Sequence, residues 1–148
     1  MLEEEYSKEI DRTNYKMVTI SGSRLPHHNI DYPLNYINLG ALEPFELVIL
    51  QGGSGEANTI SERKDFSLKA KEMIEKIHEA GAEAALYMIH AYVDPHENTN
   101  PQMIENIKKM YIDVANQNNV LVIPVGIAFE NAYDLSLIHI SEPTRLEL

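Results

Sequence analysis

Cysteine and tryptophan are missing from this 148-residue sequence, and phenylalanine occurs only three times. Without cysteine there is no disulfide framework, thiolate zinc site, iron–sulfur cluster or cysteine nucleophile. Positive charge is scarce too: 12 Lys and Arg stand against 23 Asp and Glu, for a net charge of -11. A surface of that sign repels phosphate backbones and anionic membranes, which argues against a nucleic-acid partner. The longest apolar runs, Leu47–Leu50 and Val120–Gly126, fall far short of the roughly 20 residues that span a bilayer, so no membrane role is expected. Met1-Leu2-Glu3-Glu4-Glu5 is acidic where a secretory signal is basic and then apolar, and the chain as written is expected in the cytoplasm. What is there, 44% hydrophobic and 24% charged residues with seven Gly and seven Pro, suits one globular domain with a sizeable core.

Strand and helix patterns alternate along the chain. Lys16–Ile20 (KMVTI) is β-branched and closed by Ser21-Gly22-Ser23, which reads as a strand and a turn. Residues 24–44 carry three prolines and several Asn, the composition of a long loop with one helical turn near Leu34–Leu39. Phe45–Leu50 (FELVIL) is continuously apolar, like a strand buried on both faces of a parallel sheet. Phe66, Ala70, Met73, Ile74 and Ile77 recur at helical spacing within Ser61–Ala80, and Gly81 follows as the expected terminator. Ala84–His90 is the next strand. Asn100 and Pro101 supply an N-cap and first-turn proline for a helix with core stripe Ile104, Ile107, Met110, Tyr111 and Val114, and Val120–Val125 closes the series.

Strands separated by helices of this length form right-handed βαβ units with parallel strands. The expected fold is an α/β three-layer sandwich with a parallel, flavodoxin-like sheet. Ligands collect beyond the carboxyl ends of such strands, which nominates the loops at residues 21–23, 51–58, 90–96 and 126–133.

The loop Gln51-Gly52-Gly53-Ser54-Gly55-Glu56-Ala57-Asn58-Thr59 is the most informative. Three glycines in four positions let backbone N–H groups approach a ligand. A P-loop needs lysine near its end, and a dinucleotide fingerprint needs glycine where Asn58 stands, so both nucleotide readings fail and no cofactor is expected. Ser54 lacks a Gly-x-Ser-x-Gly elbow and reads as an ordinary loop serine. His27, His28, His90 and His96 lie on loops without the helical spacing of a zinc site; they read as solvated or hydrogen-bonding histidines, with no metal. Met73, Met88, Met103 and Met110 fall on expected core faces.

Four segments carry a resemblance. Ser21-Gly22-Ser23-Arg24-Leu25-Pro26-His27-His28, Leu47-Val48-Ile49-Leu50-Gln51 with its Gly/Ser loop, Tyr87-Met88-Ile89-His90-Ala91-Tyr92 and Val122-Ile123-Pro124-Val125-Gly126-Ile127-Ala128 together resemble an uncharacterised bacterial branch of the SGNH (GDSL-type) hydrolase superfamily. The resemblance implies a serine ester hydrolase acting on a small ester, with an acetyl group on a carbohydrate as one candidate. It places Gly22 and Gln51 in the oxyanion hole, Asn58 as a lesser choice for the amide, and Gly53, Ser54, Asn58, His28 and His90 around the substrate. Neither a Gly-Asp/Asn-Ser before Lys16 nor an Asp-x-x-His after Gly126 is encoded: Asp134 and His139 are five apart. The expectation is therefore a fragment, lacking nucleophile and base and itself inactive. The family's first strand lies between those at Lys16 and Phe45, so an unfilled sheet position is expected to favour self-association. The alternative is a non-catalytic, flavodoxin-like binding or interaction module using the same loops.

The carboxyl terminus stands apart. Leu135–Arg145, LSLIHISEPTR, resembles a frame translation of a transposase sequencing adaptor of the kind found at the ends of metagenomic reading frames. Residues 1–134 are accordingly read as a partial domain and 135–148 as a non-native tail with few core contacts.

Overall fold

The computed structural model describes residues 15–140; the tail from 141 to 148 and the side chains of 137–140 lie outside that description. Three strands, β1 (Leu47–Gln51), β2 (Glu83–Tyr87) and β3 (Leu121–Ile123), form a parallel sheet in the order β1-β2-β3. Leu50 lies opposite Leu86 and Leu86 opposite Val122, so equivalent residues share a face. Four α-helices accompany the sheet: α1 (Asp31–Leu34), α2 (Ile60–Glu79), α3 (Met103–Asn118) and α4 (Val125–Ile140). Two 3-10 turns, Leu25–His27 and Tyr36–Leu39, flank α1.

Helices α2 and α3 are the crossovers, and they pack on each other and on the sheet. The apolar stripes read from sequence face inward: Phe66, Ala70, Met73, Ile74 and Ile77 of α2 and Ile104, Ile107, Met110, Tyr111 and Val114 of α3 are all buried, as are the four methionines. Thr59 caps α2, its hydroxyl accepting from the Glu62 N–H at 3.2 Å. Gly81 follows α2 with φ +83°, a conformation open to glycine without strain.

The departures have local causes. Lys16–Ile20 is exposed and forms no strand, because no edge of the sheet pairs with it; β-branched composition describes fitness for a pleated, half-buried surface and does not create one. β3 is shorter than Val120–Val125. Proline has no N–H for the ladder, and the Pro124 carbonyl instead accepts the Ala128 N–H that opens α4, so residues 126–133 are helix and not loop. Asn100 and Pro101 form a turn before α3 and not its first residues: the Asn100 side chain accepts from Gln102 N at 2.9 Å and its carbonyl from Met103 N at 3.0 Å.

Among the described residues the helical layer lies on one face. The opposite face leaves Leu47, Ile49 and Leu121 about half exposed or more, at 53%, 49% and 78%. β1 is thus an edge strand with one open face, where the continuous apolar run suggested a strand covered on both. The third layer of the expected sandwich is not formed by these residues.

Candidate functional site

At the carboxyl ends of the strands, the chain between Ile20 and His28 meets the glycine-rich loop after β1. A single buried carboxylate joins them. Glu56, 1% exposed, accepts the Leu25 N–H at 3.1 Å on Oε1 and the Gly53 N–H at 2.7 Å on Oε2. Burial pushes its carboxyl above the ordinary range, against the opposing pull of those N–H groups and of Arg24 and His27. Tyr111 reaches up from α3 to the same place, its hydroxyl accepting the Gly52 N–H at 3.1 Å while its ring lies 5.0 Å from that of Phe66. Burial pushes the Tyr111 hydroxyl well above its ordinary pKa.

Backbone approach here is close enough to require glycine. A Cβ at Gly53 would stand 2.6 Å from the Ser23 carbonyl oxygen, and one at Gly52 would stand 2.5 Å from Glu56 Oε2. Gly22 turns at φ +67° with open space around its Cα. At the rim, Arg24 pairs with Glu62. Burial alone would raise Glu62, but the Thr59 hydroxyl and the Arg24 guanidinium outweigh it and hold the carboxyl below its usual range.

The residues nominated from sequence are distributed over this cluster unevenly. Gly22 and Gln51 are exposed, Gln51 ending β1 opposite Tyr87. The Gly53 N–H is committed to Glu56 and is not free for a ligand. Ser54 and Asn58 are exposed on the loop. His90 is turned away onto α4, stacking on Phe129 at 4.9 Å, with Nδ1 3.0 Å from the Ala91 carbonyl. His28 is half-buried, and its Nε2 lies 2.8 Å from Ser23 Oγ. Among the described residues no three His, Asp or Glu side chains converge as a metal site needs, and no helix is long and apolar enough to cross a membrane.

Three residues of the cluster escaped the sequence reading. Glu56, one acid among small loop residues, looks like a solvated side chain, and only the tertiary approach of Leu25 buries it. Tyr111 counted as core stripe, although a buried tyrosine ordinarily implies a partner for its hydroxyl. Ser23, in Ser21-Gly22-Ser23, reads from sequence as a turn serine. Elsewhere, a shallow groove of about 340 Å³ lies at the opposite ends of the strands, lined by Leu47, Glu83, Ala84, Asn119, Val120 and Leu121. In comparisons with known proteins, no family model matches the sequence, and no curated protein or solved structure matches it significantly.

Proposed function

We propose that this loop cluster is the acyl-binding side of a serine ester hydrolase of SGNH type, with Gly22 and Gln51 as oxyanion donors. The observation that carries the reading is the clamp by which Glu56 holds the Leu25 and Gly53 N–H groups, fastening two strand-end loops together where α/β sheets bind ligands. A fixed pair of loops suits preorganised donors, which stabilise a developing oxyanion because they need not reorient during reaction. The three parallel strands are compatible with a flavodoxin-like sheet, into which the wider SGNH arrangement would fit. His28 and the rim of the glycine-rich loop, Ser54 and Asn58, would border a small ester.

The sequence encodes neither the family's serine elbow nor its Asp-x-x-His, so ester turnover by these 148 residues is expected at background. The test is made in a longer reading frame that supplies both motifs, assayed with short-chain aryl esters. There Gln51→Ala should lower kcat by about 10²-fold, the effect of deleting one oxyanion donor. An unchanged kcat would remove Gln51 from the site. Multiple turnover by the 148-residue chain that vanishes with Ser54→Ala would overturn the arrangement and make Ser54 the nucleophile.

A further inference from the structure

The 3-10 turn Leu25–His27 folds the chain back on itself. The His27 N–H donates to the Arg24 carbonyl at 3.0 Å, and the His28 N–H donates to the Leu25 carbonyl at 3.1 Å. The two adjacent histidines then part. The His27 ring turns back, its Nδ1 accepting the Arg24 N–H at 3.0 Å, while His28 leaves the turn in extended conformation and carries its ring to Ser23. Ser23 Oγ and His28 Nε2 stand 2.8 Å apart, both residues partly buried. The loop beneath them is held at Leu25, whose side chain is 2% exposed and whose N–H is gripped by Glu56. At the neighbouring Gly22 a Cβ would meet nothing within 4 Å.

We propose that Ser23 and His28 are a nucleophile–base pair that reacts with acyl and phosphonyl electrophiles. With the ring proton on Nδ1, Nε2 accepts the Ser23 hydroxyl, the direction that general-base activation needs. As Oγ bonds to an ester carbonyl carbon, its proton passes to Nε2. When the carbon–alkoxy bond breaks, Nε2 returns that proton to the departing alcohol. The acyl group stays on Ser23 until water, losing a proton to Nε2, bonds to the acyl carbon; the carbon–Oγ bond then breaks, Nε2 returns the proton to Oγ, and the acid is released. With a phosphonyl fluoride, the Oγ–P bond forms, the P–F bond breaks, fluoride leaves with the proton, and the serine remains phosphonylated. Among the described residues His28 Nδ1 makes no hydrogen bond that would orient the ring, so the pair is slow, and single-event labelling reads it where ester turnover does not. The substrate class rests on the acyl-site reading above; the reactivity of the pair does not.

The test treats the 148-residue chain with a small alkyl fluorophosphonate, weighs the intact protein and maps the adduct by peptide mass spectrometry. One adduct per chain is expected, on Ser23. It should be absent in Ser23→Ala and slowed by about 10²-fold or more in His28→Gln, the ordinary worth of a general base. His27→Gln, which alters the same turn without touching Ser23, should label at the wild-type rate. The wild-type adduct decides the matter even if a variant fails to fold: no adduct, or one on another residue, overturns the pair. So does wild-type labelling of His28→Gln. Labelling of Ser23 together with an unchanged kcat for Gln51→Ala in the longer frame would keep the pair and discard the oxyanion assignment.

Discussion

Glu56 is where a single side chain decides most. Its carboxylate is the shared acceptor for two backbone donors from segments 31 and 3 residues away. Glu56→Ala leaves both N–H groups without an acceptor, and a stability loss of about 1–3 kcal/mol is expected from urea unfolding followed by circular dichroism. The pH dependence has a definite sign. Because burial raises its pKa above 4.5, the folded protein binds this proton more tightly than the unfolded chain does. The group's contribution is therefore fully present below the ordinary carboxylate value and is lost as pH rises through the raised one. Glu56→Gln imitates the protonated form. The stability of wild type minus that of Glu56→Gln should fall from about pH 4.5 upward and then level off. A difference that rises with pH would show that the clamp favours the ionised form.

At the scale of elements, α2 is specified from both ends. The Thr59 hydroxyl accepts from the Glu62 N–H and donates to the Glu62 carboxylate at 3.0 Å, and Lys76 near its carboxyl end reaches Asp31 of α1 at 2.9 Å. Thr59→Ala should cost about 0.5–2 kcal/mol in the same unfolding assay, the range for a lost N-cap. Helix α4 is the contrasting case. It docks through Gly126, whose N–H donates to the Met88 carbonyl at 3.0 Å and whose Cα lies against Ile89. Farther on, Leu135 is 57% exposed. Truncation after Asp134 should therefore change stability by no more than about 0.5 kcal/mol, as uninvolved surface changes do. A failure to fold would make the tail part of the domain.

For the whole molecule, the consequence is an open sheet. Among the described residues β1 pairs only with β2, so one row of its N–H and C=O groups has no strand from these residues, and Leu47 and Ile49 lie uncovered beside it. Such an edge invites another strand. The apparent mass from light scattering should rise with protein concentration, and Ile49→Lys should suppress the rise while circular dichroism keeps its helical signal. A monomer mass that holds at high concentration would count against it.

Residues 60–79 and 103–118 were legible because helical periodicity is local: the stripes from Phe66 to Ile77 and from Ile104 to Val114 are written at spacings that any core must bury. The runs at Leu47, Ala84 and Leu121 likewise announced strands, and the helices between them implied parallel pairing. Pairing partners are a different matter, since a strand exists only where another offers its edge. Lys16–Ile20 has the composition and lacks the neighbour, and Phe45–Leu50 has the apolar run of a covered strand yet becomes an edge. The candidate site divides in the same way. Sequence alone pointed to the glycine-rich loop after β1, because glycine content is a local property. That Leu25 closes over Glu56 and that Tyr111 holds Gly52 were decided by tertiary structure, because burial and hydrogen bonding there depend on which backbone arrives from elsewhere in the chain, whereas Ser23 meets His28 through the local turn at Leu25–His27.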